Sequence, residues 1–414
     1  MIPHLFTKVN DRIIIIVLLF VSAFFLFYRL GVPVLEDWDE GIYSNIAGEI
    51  VESGNWWHLQ LQGAPWLEKE PLVFWFMAIA IKIFGFTTFA LRFSSAFLSI
   101  FIAPLFYLLA RKFSNKIYAT LLTLLFFFSS VLWHAHMLRV GDLNAIGLVT
   151  FLAALTAYVY LRDSRRFWII GVCVALNFLT RGFVGLLLLG IILFSEFVRP
   201  YFKQERWTVR RFIITLAIAL LPWLVWHLTQ YMGNPAEYIR IYWQEQFFSR
   251  IYLPLQNHSG DWLFYFRFLK AKLGVWYLAI FGLSVIFAAY KIIWSKSGLS
   301  VYQFISFVVL VFPLQLMQTK LNWYVLPLMP ILYLLAGQMF WQIYQKINRV
   351  KPPLGHAVMM VCVLVLTAHL CVLVHSHVDA LKNIPLNPTL PVTGPWYEGK
   401  VLPAYYWYSH FEKR

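Results

Sequence analysis

Apolar runs of 15 to 24 residues recur along the chain from Ile13 to His375, parted by short clusters of Lys and Arg. This is the spacing of helices that cross a hydrocarbon core about 30 Å thick. A chain of 414 residues that is 60% hydrophobic and only 13% charged cannot solvate so much apolar surface, which excludes a soluble enzyme. The expected fold class is an all-α polytopic membrane protein. The formal charge of +15 does not point to nucleic acid, because the basic residues sit in brief interhelical loops and no basic helix is interleaved with stacking aromatics. Cys173, Cys362 and Cys371 fall inside apolar runs, so neither a disulfide framework nor a CxxC metal site is expected.

Taken as spans, the runs number eleven, at roughly 12–30, 91–110, 116–133, 141–161, 167–180, 182–198, 210–228, 273–290, 300–318, 323–345 and 355–376. With the N-terminus inside, the inner segments collect eighteen basic residues against four acidic ones, Asp11, Asp163, Glu196 and Glu205. The positive-inside rule then predicts a multi-pass protein of the cytoplasmic (inner) membrane, N-terminus cytoplasmic and C-terminus extracytoplasmic. No small-residue cleavage site follows the first run before Pro33, so a retained helix is expected in place of a secretory signal. The segment 72–86 is apolar too, but counting it as a span would invert every later loop. Its Lys82 and Trp75 fit a helix lying in or dipping into the interface. Residues 1–376 thus form the expected transmembrane module, with 31–90 and 229–272 as its large outer loops and 377–414 as a short outer tail.

An ionisable group at mid-membrane costs about 2.5–3.5 kcal/mol on insertion scales, so carriers that place one there reveal their pathway. These spans are nearly free of charge, and Asn177 alone is thin support for a polar pathway. Acid, amide and aromatic residues gather instead at the outer helix ends, which favours an enzyme with its site at the outer face. The first outer loop opens Leu35-Glu36-Asp37-Trp38-Asp39-Glu40-Gly41, four carboxylates within five positions, and runs into an amphipathic helix. Asp39 stands where an N-cap would, and the residues alone leave capping and chemistry both open. Next comes Leu67-Glu68-Lys69-Glu70-Pro71, where the Lys either rests in a surface ion pair or holds a phosphate. The second outer loop carries His134, His136, Arg139 and Asp142; Arg139 and Asp142 share a face if the next helix has begun. His134 and His136, two apart, would point to different helix faces, which argues against a metal pair. Lys320, Asn322 and Tyr324 lead into a span broken by Pro327 and Pro330.

In this order, Asp39-Glu40 with Tyr43, Glu68-Lys69 before Pro71, Arg139…Asp142, Leu179-Thr180-Arg181-Gly182, Glu245-Gln246…Arg250 and Lys320…Tyr324…Pro327…Pro330 resemble the GT-C glycosyltransferases. More narrowly they resemble the aminoarabinose-transferase and protein O-mannosyltransferase (ArnT/PMT-like) branch, over residues 10–345. The resemblance implies transfer of a sugar from an undecaprenyl or dolichyl phosphate to a lipid, glycan or protein acceptor at the outer face, as in glycosylation of lipid A or of protein. It implies Asp39, Asp142 and Glu40 as catalytic acids, with Asp39 the general base, and Lys69, Arg139, Lys320 and Tyr324 as donor phosphate ligands. No cofactor is required; if a divalent metal binds, Glu68 and His258 are its candidate ligands. The chain departs from the family pattern at three points: Glu70 replaces the first Pro of the usual Glu-Lys-Pro-Pro, Arg181-Gly182 replaces Lys-Gly, and Glu245-Gln246 replaces Glu-His. Only residues 377–414 stand where longer relatives carry a large C-terminal outer domain. The reading from another class is a transporter or flippase of a lipid-linked sugar.

Overall fold

The computed structural model describes residues 10–35, 39–134, 136–255, 258–295, 298–382, 407, 410 and 411. Glu36, Asp37 and most of the expected outer tail fall outside these residues. A helix lies in each expected apolar run: α1 Asp11–Phe27, α4 Thr88–Ser99 continued by α5 Ile102–Arg111, α6 Lys116–Phe127, α7 Leu143–Leu161, α8 Trp168–Phe178, α9 Gly182–Val198, α10 Val209–Gly233, α12 Val275–Ser295, α13 Gly298–Leu316, α14 Leu328–Val350 and α15 Pro352–Lys382. Two further helices, α2 (Asp39–Ser53) and α3 (Leu72–Phe84), belong to the first loop, and α11 (Phe264–Leu273) precedes α12. Between α2 and α3 lies a hairpin of β1 (Gln60–Leu61) and β2 (Ala64–Pro65). By length and composition, five stretches suffice to cross a membrane among the described residues: Thr88–Arg111, Leu143–Leu161, Gly182–Phe202, Val209–Gly233 and Val275–Trp294.

Local chemistry sets the helix ends. Side-chain oxygens of Asn10, Thr87, Asn115, Asp142 and Thr208 each accept a backbone N–H in the first turn of the helix they precede, the usual answer to the orphaned donors there. The break between α4 and α5 falls at Ile100, four residues before Pro104, whose ring clashes with that carbonyl and whose nitrogen offers no donor. Two expected ends move. α6 stops at Phe127 and α7 starts at Leu143, so Arg139 lies in a non-helical segment and does not share a helix face with Asp142.

Two buried ion pairs hold the bundle. Glu40 takes Arg92 in a two-pronged contact, 2.7 Å on each arm, and the same guanidinium donates to the carbonyls of Leu30, Pro33 and Val34. Toward the other end of α7, Arg162 grips Glu196 of α9 at 2.8 and 2.9 Å, and the Trp207 amide adds a third bond to that carboxylate. Both oxygens of each carboxylate are met, so the attraction and hydrogen bonds offset the cost of taking these charges out of water. Asn177, the one polar residue that hinted at a transport pathway, donates to the Gly147 carbonyl and the Thr150 hydroxyl and so pins α8 to α7. α3 packs between α2 and α4, with Val73, Phe74, Met77 and Ala78 fully buried. Trp407 and Phe411 return to the same region: both are fully buried, and the Phe411 ring stacks on Phe86 at 5.3 Å. It also lies so close to α2 that a Cβ on Gly48 would come within 2.7 Å of it, which only glycine permits.

Candidate active site

Above α7, and walled by the first loop, lies a cavity of about 1000 Å³. One part of its wall is acidic. Asp142 uses Oδ1 to cap α7 through the Asn144 amide, and turns Oδ2 to His136 Nδ1 at 3.1 Å. Asp39, the first residue of α2, reaches the same His136 nitrogen at 3.8 Å. His136 holds a left-handed backbone (φ 64°), a conformation that costs a non-glycine residue about 1–3 kcal/mol and turns its ring toward the two acids. Burial, and then the neighbouring Asp142 carboxylate, raise the Asp39 carboxyl above its ordinary range. The three ligand atoms of Asp39, His136 and Asp142 all lie within 4.8 Å of one another, a carboxylate and imidazole set that suits a divalent cation.

The other part is basic. Lys69 Nζ donates to Gln246 Oε1 at 3.1 Å, and Arg250 donates to the same oxygen at 2.6 and 3.2 Å. The amide nitrogen of Gln246 in turn donates to Glu68 at 3.1 Å. Arg250 also reaches the Tyr324 hydroxyl at 2.9 Å, and the Arg181 guanidinium lies 5.7 Å over the Tyr324 ring. Burial, followed by repulsion from Arg250, lowers Lys69 to about 8. Trp323 connects the two parts, its ring 4.5 Å from that of His136 and its chain neighbour being Tyr324. Below them the lining turns apolar: Phe183, Val184 and Leu187 of α9 face Leu310 and Leu314 of α13.

Residues 68–226 match the family model described as dolichyl-phosphate-mannose-protein mannosyltransferase. In three dimensions the chain is similar to ArnT from Cupriavidus metallidurans bound to undecaprenyl phosphate, with a TM-score of 0.66 at 16% identity over 89% of this chain and 70% of that one. The chain shares its fold with that structure. The apo oligosaccharyltransferase of Archaeoglobus fulgidus gives a TM-score of 0.57 at 12% identity, over 93% of this chain and 57% of that one. In sequence the chain is 27% identical over 313 residues to an undecaprenyl phosphate-alpha-4-amino-4-deoxy-L-arabinose arabinosyl transferase of Sodalis glossinidius, covering 72% of this chain and 54% of the relative. An uncharacterized protein of Aquifex aeolicus is 26% identical over 78% of this chain and 63% of its own. The chain therefore spans a little over half the length of these curated relatives.

Within this fold the expected site residues divide. Asp39, Asp142, Glu68, Lys69, Tyr324 and His258 all line the cavity. Three others do not. Glu40, expected as a catalytic acid, is spent on Arg92 and the Gly141 amide. Arg139, expected at the phosphate, donates to the Tyr28 carbonyl at the end of α1. Lys320, expected there too, is buried and donates to the Leu314 and Gln315 carbonyls at 2.8 and 3.0 Å, satisfying the last turn of α13. The metal-capable group among the described residues is likewise not Glu68 with His258, since Glu68 answers the Gln246 amide. His136, Arg181, Gln246 and Arg250 are the site residues that the sequence reading did not assign. Arg181, Gln246 and Arg250 stood in the motifs that carry the family resemblance; His136 was set aside on a helical geometry that its segment does not adopt.

Proposed function

We propose that the chain transfers a sugar from a polyprenyl phosphate to an acceptor at the outer membrane face. The observation that carries this reading is the pairing, in one cavity, of an acid group with a triad of cations above an apolar slot. Lys69, Arg181 and Arg250, with the Tyr324 hydroxyl, would hold the donor phosphate, and the apolar lining of α9 and α13 would take the start of its prenyl chain. Asp39 accepts the proton of the acceptor hydroxyl or amine as its heteroatom bonds to the anomeric carbon. The bond from that carbon to the phosphate oxygen breaks with inversion, and its electron pair leaves on the phosphate, where preorganised cations stabilise it. Asp142 orients His136 beside Asp39. A divalent cation held by Asp39, His136 and Asp142 would supply Lewis-acid polarisation there.

The same reading takes eleven spans, with the N-terminus cytoplasmic. Supporting it, Trp407 and Phe411 pack against Gly48 and Phe86 of the first loop, so residue 407 lies on the side of α2. An even number of crossings between them follows, which ten spans satisfy and which a further span at α3 would break.

Binding of undecaprenyl phosphate to the purified protein tests the donor site. Micromolar or tighter affinity that falls at least tenfold in a folded Arg250→Ala variant is expected, roughly the loss of one charge-assisted contact; equal affinity of the two proteins would end the proposal.

A further inference from the structure

Glu70 is a buried carboxylate, 3% exposed, that the proposed chemistry does not use. Its Oε1 accepts the backbone N–H of Gly182 at 2.9 Å and the hydroxyl of Tyr242. Each group in this small junction lies next to a cavity cation in the chain or about one helical turn from its partner. Lys69 directly precedes Glu70, and Arg181 directly precedes Gly182. Tyr242 lies four residues before Gln246, about one turn along the π-helical stretch Ile239–Phe248, and Gln246 is the amide that receives both Lys69 and Arg250. One carboxylate oxygen thus fastens together three segments, distant in sequence, that bring the three cations to the cavity. Like charges so gathered repel each other where water is sparse, and their convergence needs a fixed frame behind them. The junction is also sterically closed: a Cβ on Gly182 would lie 2.4 Å from Glu70 Oε1, so glycine is required for the carboxylate to reach the amide.

We propose that Glu70 is a positioning residue, which through Gly182 and Tyr242 holds Lys69, Arg181 and Arg250 converging on a single phosphate. The inference rests on the donor reading above and adds to it the element that preorganises the site. It makes the cation triad one unit, to be lost together when the junction opens, although no cation has been touched.

Two variants open the junction in different ways. Glu70→Ala removes the acceptor; Gly182→Ala leaves every charge in place and drives a methyl group onto the carboxylate oxygen. Each full-length variant, purified and shown to be folded by thermal unfolding, is measured for undecaprenyl phosphate affinity. In parallel, the titration of Lys69 is followed by pH-dependent acylation read by mass spectrometry. In both variants the affinity is expected to fall about tenfold or more, the scale of a lost charge-assisted contact. The Lys69 midpoint is expected to rise by about a unit or more toward that of an ordinary lysine, as the side chain escapes into water. Glu70→Gln, which keeps an acceptor oxygen, should remain within about threefold of the parent, a loss no larger than one weakened neutral hydrogen bond. Wild-type affinity together with a wild-type Lys69 midpoint in Gly182→Ala would overturn the proposal, also where Glu70→Ala fails to fold. Should the parent protein bind no polyprenyl phosphate, the donor reading falls, and the Lys69 midpoint alone still decides the role of Glu70.

Discussion

At the acidic part of the cavity, Asp142 caps α7 and grips His136 with one side chain, while Asp39 opens α2. At the basic part, Lys69, Arg181 and Arg250 come from three separate connections and are joined through the side chains of Gln246, Glu70 and Tyr324, with Arg181 also donating to Asn144 Oδ1. The acids owe their places to helix starts, where unpaired N–H groups favour carboxylates whatever the rest of the chain does. The cations owe theirs to long-range contacts that no local rule requires.

The largest effect that would sharpen this contrast is expected at Asp39. Asp39→Asn keeps size and hydrogen-bonding ability at the start of α2, so thermal unfolding should stay near that of the parent, while sugar transfer falls by about 10²- to 10⁴-fold, the range for loss of a general base. Turnover unchanged in that variant would leave Asp39 with a purely structural role. Asp142→Asn should be milder, because that residue acts through His136.

The pH dependence separates the two parts in a single profile. Asp39 must be ionised to act, and its carboxyl is raised above the ordinary range, so transfer should climb with pH through a midpoint higher than that of a solvated aspartate. Lys69 must be charged to hold phosphate, so donor affinity should be complete below about 8 and decline as the pH rises through that value. In Lys69→Ala the decline should flatten while the acid limb stays. A basic limb that survives this substitution would assign it to another group.

The smallest effect is expected at Lys320. Because its ammonium is occupied by the α13 carbonyls, Lys320→Met should leave undecaprenyl phosphate affinity unchanged and lower stability by about 1.5–3 kcal/mol, the usual range for hydrogen bonding by a charged group. A tenfold loss of donor affinity would return Lys320 to the phosphate site.

The bundle was legible from the chain because a hydrocarbon core punishes every unpaired backbone group, leaving an apolar run of that length little choice but helix. Asp39 was legible for a related reason, as it stands at a helix start, whereas Asp142 was legible only through the family resemblance and its capping of α7 was not. The segment 128–142 was not. Its ends could be read as helix only by prolonging an apolar pattern past Phe127, and with that the positions of Arg139 and His136 went astray.

By itself the sequence determined the helical class, the distribution of charge between loops, and the residue types gathered at one end of the bundle, since burial, solvation and capping act on each segment separately. Only the tertiary structure decided which charges are free to act. Glu40, Arg139 and Lys320 look from the chain like Asp39, Lys69 and Arg250. The first three are consumed by Arg92, a carbonyl of Tyr28 and the end of α13, whereas the second three face a cavity. Whether a buried ion is neutralised by its neighbours or left to meet a substrate depends on which segments the fold brings together, and sequence spacing does not encode that.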